Sequence, residues 1–161
     1  MHDVICNTSP LQYLYQAELL HLLPILFRSV QVPSAVAAEL AEGRRRGFRL
    51  PYLEELPWVT VRSVQDRRLL PLVRGLGNGE REVLALGLEV PDHLLVLDDY
   101  GARRHAMEVE LEITGTLGIL LLSKEYGLLG SVQPALDRLV ALKFHLDAVT
   151  RRMILDLADE H

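Results

Sequence analysis

Along the chain, short wholly apolar runs alternate with longer stretches in which apolar positions recur every three or four residues. Val4-Ile5-Cys6 reads as a short buried strand, and Asn7-Thr8-Ser9-Pro10 then opens a helix expected over about Pro10 to Leu20. Ser9 can cap that helix, Pro10 suits its first position, and Gln12 falls where a capping box takes Glu or Gln. Ser29-Val30-Gln31-Val32 is a second strand, and Pro33-Ser34 leads from it into a helix of strong formers ending near Glu42. The stretch from Gly43 to Pro57, broken by Gly47, Pro51 and Pro57, reads as irregular or only partly helical, and Trp58-Val59-Thr60-Val61 as a further strand. Leu94-Leu95-Val96-Leu97 is a strand buried on both faces. Helical pattern follows over Arg103 to Val109, Gly118 to Tyr126, Pro134 to Leu142 and Ala148 to Ala158, with Glu112-Ile113-Thr114 a short strand between the first two. Asp147 is the expected cap of the last helix. This alternation predicts an α/β fold, a parallel sheet with helices on both faces.

A chain of 161 residues with 49% hydrophobic and 24% charged positions has enough apolar content for one proper core, so a single domain over residues 1–161 is expected. No apolar run reaches membrane-spanning length and the first residues lack the pattern of a signal peptide, which together suggest a cytoplasmic protein. The one cysteine, Cys6, sits in the first apolar run and reads as a core thiol. Six histidines show no close metal-binding spacing, so any metal would be a hard ion held by oxygen. The net charge of −5 argues against nucleic-acid binding by the whole surface, while arginine clusters at 44–46, 67–68, 103–104 and 151–152 leave local basic patches available.

The chemistry gathers at the end of the central strand, where Asp98 and Asp99 follow Leu97. Open α/β sheets keep their ligands at the carboxyl ends of the strands. Two adjacent carboxylates there repel each other unless a divalent cation, or Arg103 and Arg104, offsets them. Helix capping is the competing explanation, because Asp is favoured at helix N-termini for its own reasons. If their strands are neighbours, Asn7, the acid pair and the turn Thr114-Gly115-Thr116 share one sheet edge, with Glu39 and Glu80 reaching it from helices. Exposed glutamate on a solvent face, and a helix-dipole role in the first turn after the glycines, are the plainer readings of Glu39 and Glu80. The glycines from Gly75 to Gly79 do not make a phosphate loop, since no Gly-Lys-Ser/Thr follows and no strand precedes them; Asn78 instead caps a helix. Oxygen-rich clusters of this kind bind Mg²⁺ or Mn²⁺ through few direct ligands and several waters.

Five stretches together resemble the PIN domain family: Asn7 to Leu11, Val32 to Val36 with Glu39, Gly79 to Leu86, Leu97-Asp98-Asp99 through Arg103-Arg104-His105-Ala106, and Gly115 to Gly118. The resemblance implies a three-layer α/β/α sandwich around a central parallel sheet, and Mg²⁺- or Mn²⁺-dependent cleavage of single-stranded RNA. It further implies the toxin role of a toxin–antitoxin pair, with a small antitoxin protein as partner, and a homodimer. Position by position, Asp98, Glu80 and Glu39 fall on the family's catalytic, metal-binding acids, Asp99 is their neighbour, and Thr116 is a polar residue that closes the site, with Thr8 in support. Asn7 falls where the family usually has its first aspartate. It keeps a carbonyl oxygen but lacks the charge and cannot act as a base, so weakened catalysis or a binding module without catalysis are both open. Arg103 and Arg104 are the expected contacts to the nucleic acid. A receiver-like phosphoacceptor domain fits less well, because the acid pair comes late and no lysine ends the following strand.

Overall fold

The computed structural model describes residues 1–161. Five strands form one sheet in the order β3-β2-β1-β4-β5, where β1 is Asp3–Cys6, β2 Ser29–Pro33, β3 Val59–Arg62, β4 His93–Val96 and β5 Ile113–Thr114. Every pairing is parallel. The helices α1 (Thr8–Gln16), α2 (Leu22–Leu26), α3 (Ser34–Arg45), α4 (Asn78–Glu89), α5 (Tyr100–Glu108), α6 (Thr116–Glu125), α7 (Gln133–Ala141) and α8 (Ala148–Leu157) complete a three-layer α/β/α sandwich. β1 lies at the centre because Val4, Ile5 and Cys6 carry no polar group and are all fully buried. Its register pairs Ile5 with both Gln31 of β2 and Leu95 of β4. One cluster of buried hydrophobic residues covers both faces of the sheet, with Leu11, Leu14, Leu84, Leu86, Ile119 and Leu120 at its centre.

The chain moves from β1 outward to β2 and β3, then returns to the other side of β1 for β4 and β5. Strand order therefore reverses between β1 and β4, which opens a crevice beyond their carboxyl ends. This order is not the 2-1-3-4-5 arrangement of receiver domains, so that reading is set aside.

The helix boundaries differ from the sequence pattern where tertiary partners intervene. α1 begins two residues early, at Thr8, with Asn7 at its cap position but making no cap bond. Ser9 does not cap it either, because its hydroxyl instead donates to Asp98 across the crevice at 2.9 Å. Apolar packing makes α2 a helix where sequence pattern shows only a run of leucines. α3 continues through Gly43 to Arg45, beyond the predicted end at Glu42. Gly77, not Asn78, occupies the cap of α4, and Glu80 accepts its amide at 2.7 Å. α5 starts at Tyr100, three residues before its expected start, since Asp99 caps it through the Ala102 amide at 2.9 Å. The cap at Asp147 is as expected, with its carboxylate accepting the Thr150 amide at 2.7 Å. Cys6 is fully buried, and burial, with the nearby Asp98 charge, pushes its thiol up to about 12. It is an inert core side chain.

Candidate metal and nucleic-acid site

The crevice is furnished by the first residues after β1 and β4 and by the starts of α3, α4 and α6. Asn7 lies directly beyond β1, held by its amide to the Val96 carbonyl at 3.1 Å, and is only 5% exposed. Its side-chain oxygen is buried and has no hydrogen-bond partner in the protein. Buried acceptors are rarely left alone, so such an oxygen marks a place where a donor or cation belongs.

Glu39, one turn into α3, points inward to this place and not to solvent. Thr8 Oγ1 donates to its Oε1 at 2.5 Å and the Gly79 amide to its Oε2 at 3.1 Å. Gly79 must be glycine for that approach, since a Cβ would lie 2.5 Å from Glu39 Oε1 and 3.1 Å from Asn7 Oδ1. Glu42, on the neighbouring position of the same helix, behaves as an exposed glutamate and pairs with Arg45 and Arg46. The exchange between the two helices is reciprocal. Glu82 of α4, buried at 9% exposure, accepts the Ala35 amide at the start of α3 at 3.0 Å. Each helix thus satisfies a free N-terminal amide of the other with a carboxylate, which fixes Glu39 and α4 as one unit.

The acid pair divides its labour. Asp98, half-buried, accepts the Thr116 amide on Oδ1 at 2.8 Å, and the hydroxyls of Thr116 and Ser9 on Oδ2 at 2.7 Å and 2.9 Å. It ties β4 to the starts of α1 and α6 and keeps one lone pair of Oδ1 unbonded. Gly115 permits this, because a Cβ there would come within 2.9 Å of Asp98 Oδ1. Asp99 is exposed and caps α5, so the capping explanation holds for one member of the pair. Glu80 stands close enough to Asp99 and Glu39 that burial first, and then both of those charges, raise its carboxyl above the usual range, while the Gly77 amide pulls the other way. No salt bridge reaches Glu39, Glu80, Asp98 or Asp99.

The two arginines after the pair do not neutralise it. Arg103 donates through Nη1 to the Leu97 carbonyl at 2.8 Å and is half-buried, bracing the end of β4. Arg104 is exposed and faces Glu108, 3.4 Å away on the same helix. Among the residues of the crevice, sequence pattern brings out Asn7, Thr8, Glu39, Glu80, Asp98, Asp99 and Thr116, but misses Ser9 as the partner of Asp98 and Glu82 as the partner of Ala35. A polar residue within a capping motif has local work to do, which hides a long-range role.

No three of the acids, histidines or cysteines stand close enough to ligate one ion together. The donor set still fits a hard divalent ion that keeps part of its water shell: an unpartnered amide oxygen and Glu80 beside two like charges, with no ion pair to any of the four acids. Magnesium in particular is held by one or two carboxylates and several waters.

A family model, DUF3368, described as a PIN domain, matches residues 3–160. No curated protein and no solved structure matches the chain.

Proposed function

Because this chain belongs to the PIN domain family, whose members are usually nucleases and typically use divalent metal ions, we propose that it is a Mg²⁺- or Mn²⁺-dependent endoribonuclease. Its substrate is single-stranded RNA, and its role is that of the toxin in a toxin–antitoxin pair, restrained by a small antitoxin protein and acting as a homodimer. The observation that carries the catalytic part is the buried, unpartnered oxygen of Asn7 beside Glu39 at the β1–β4 crevice, with Glu80 near the charges of Asp99 and Glu39. The toxin role, antitoxin and dimer follow from the resemblance of the motifs alone.

In this reading Asn7, Glu39, Glu80, Asp98 and Asp99 would hold the metal largely through its bound water, since no three of the acids reach one ion directly, with Thr8 and Thr116 orienting Glu39 and Asp98 by the bonds described above. When bound, the ion supplies positive charge against the phosphodiester and makes nearby water more acidic. Glu80 takes the proton from the attacking water. Its Oε2 is occupied by the Gly77 amide and its Oε1 has no hydrogen bond, which leaves that oxygen as the acceptor. Asp98 keeps its geometry through three donors and presents the remaining Oδ1 lone pair. Arg103 braces the strand end from which the acids project, and Arg104 reaches toward the RNA from the exposed face of α5.

A second reading is favoured by Asn7 itself: a module that holds RNA or a protein without cleaving, because the position lacks a carboxylate. Cleavage of a fluorogenic single-stranded RNA, with Mn²⁺ or with chelator, separates the two. The nuclease reading expects metal-dependent cleavage that Asp98→Asn abolishes and Asn7→Asp increases. Absence of cleavage in all variants, together with no thermal shift on adding Mn²⁺, favours the binding module.

A further inference from the structure

A cleft of about 380 Å³ opens beside the acids, lined by Ala35, Ala38 and Glu39 of α3, Asn78, Arg81 and Glu82 of α4, and Arg67 and Leu70 of the preceding segment. Glu39 belongs to both the cleft and the crevice, so the two adjoin at that side chain. Arg67 sits on a short 3-10 turn, Arg67–Leu69. That turn is fixed in place: Glu89 of α4 accepts the amides of Gln65 and Asp66 at 2.9 Å and 2.6 Å, and Arg81 Nε donates to the Pro71 carbonyl at 3.0 Å.

The hydrogen-bonding state of the lining sets its chemistry. Both oxygens of Glu39 are taken by Thr8 and Gly79, and Oε1 of Glu82 by the Ala35 amide. The carboxylates are therefore turned into helix braces. The guanidinium groups keep donors to spare. Arg81 uses only Nε, leaving both Nη groups unbonded, and Arg67 is exposed with a single long contact, 3.8 Å to Glu82 Oε2. A nucleic-acid strand approaching four carboxylates that have no ion-pair partner, on a chain of net charge −5, needs cations nearby to bind. Arg103 already serves the Leu97 carbonyl and Arg104 already faces Glu108. Arg67 and Arg81 are the arginines placed against the acids with free planar donors, the geometry that suits phosphate.

The geometry points to this cleft as the phosphate subsite of the nuclease: Arg67 and Arg81 clamp the backbone phosphate of single-stranded RNA next to the one positioned at the acids. The inference rests on the nuclease reading, and it assigns the strand's path along the α3–α4 side of the crevice. Ala38, exposed at the cleft wall and free of any bond, offers a way to change the charge there without touching the machinery.

The test is anisotropy of a fluorescein-labelled short oligouridylate with the full chain in chelator, over a salt series, alongside Mn²⁺-dependent cleavage of the same RNA. Arg67→Gln and Arg81→Gln each weaken binding several-fold and reduce the magnitude of the salt slope by about 0.7, the value for one phosphate contact on a single strand. Ala38→Glu weakens binding and Ala38→Lys tightens it, while Arg152→Gln, on an exposed position of α8, changes neither. Since Arg81 also holds the Pro71 carbonyl, the Ala38 pair carries the result if Arg81→Gln fails to fold. Wild-type binding and cleavage, with all these variants matching wild type in affinity and slope, would place the strand elsewhere and overturn the subsite while the nuclease stands. A wild-type chain that neither binds nor cleaves RNA overturns both.

Discussion

Asp3, which opens β1, and Asn7, the residue just beyond it, mark two ends of the strand that treat their acidic neighbours in opposite ways. At the beginning, Asp3 is met by Arg28 through two bonds, at 2.5 Å and 3.1 Å, and by the Ser29 hydroxyl at 2.6 Å. The hydrogen bond from Arg28 first, then that from Ser29, holds its carboxyl well below the ordinary aspartate range. At the other end, beyond Asn7, Glu39, Glu80, Asp98 and Asp99 have no ion-pair partner, and Glu80 is pushed up. The first end spends its charges on holding the sheet edge together. The second accumulates like charge that folding alone does not require, which is the arrangement expected where a ligand completes the structure.

The largest effect should come from Asp98, which belongs to both categories. Asp98→Ala removes the acceptor of the Thr116 amide, the fully buried Thr116 hydroxyl and the Ser9 hydroxyl, and should destabilise the chain by about 3 kcal/mol in urea denaturation. A loss no larger than that of an exposed substitution would show that Asp98 does not tie the starts of α1 and α6 to β4.

Glu80→Gln should have an intermediate effect of opposite sign. Its folded carboxyl lies above the unfolded value of 4.5, so its contribution to stability is fully present below that pH and is lost as pH rises through the raised folded value. Glutamine keeps the acceptor that the Gly77 amide needs and carries no charge. The variant should therefore melt higher than wild type at pH 7 in chelator, with the difference closing below about pH 4.5. Saturating Mn²⁺ should reverse the order, because an ion at one hundred times its Kd adds about 2.7 kcal/mol to a site that binds it. Thermal melts at the two pH values, with and without Mn²⁺, measure both halves.

The smallest effect belongs to the paired end. Arg28→Gln should lower the melting temperature slightly at pH 7, since both partners meet solvent and their attraction is screened. Asp3 has a depressed folded value, so its contribution is present above its unfolded value of 3.8 and is lost as pH falls through the folded one. The deficit of the variant should shrink in acid and remain unchanged by Mn²⁺. A Mn²⁺ response at this end equal to that at the crevice would erase the contrast between them.

Sequence alone determined the parts of this protein that depend on local pattern. Apolar runs and helical periodicity mark β1 and β4 as buried strands, the α/β class, the inert position of Cys6 and the cap at Asp147, because each follows from the residue's own neighbours in the chain, whereas the central place in the sheet, expected for Leu94 to Leu97, belongs to β1. The motif acids stand out as a set through the resemblance of their motifs, since local pattern alone reads Glu39 as a solvent-facing glutamate and Glu80 as a helix-dipole residue. Tertiary structure decided what each acid does. The adjacent Asp98 and Asp99 have the same chemistry, yet one binds three donors from α1 and α6 while the other caps its own helix. Glu39 and Glu42 share a helix face on paper, yet only Glu39 meets Thr8 and Gly79. Ser9 leaves a cap role for Asp98, and Arg103 turns from a solvent-facing cation into a brace for Leu97. These outcomes depend on strand order, which put β1 beside β4 and brought residues 89 positions apart within hydrogen-bonding distance. Local propensity carries no term for such partners, since the donors that select a side chain's direction come from elements far away in sequence.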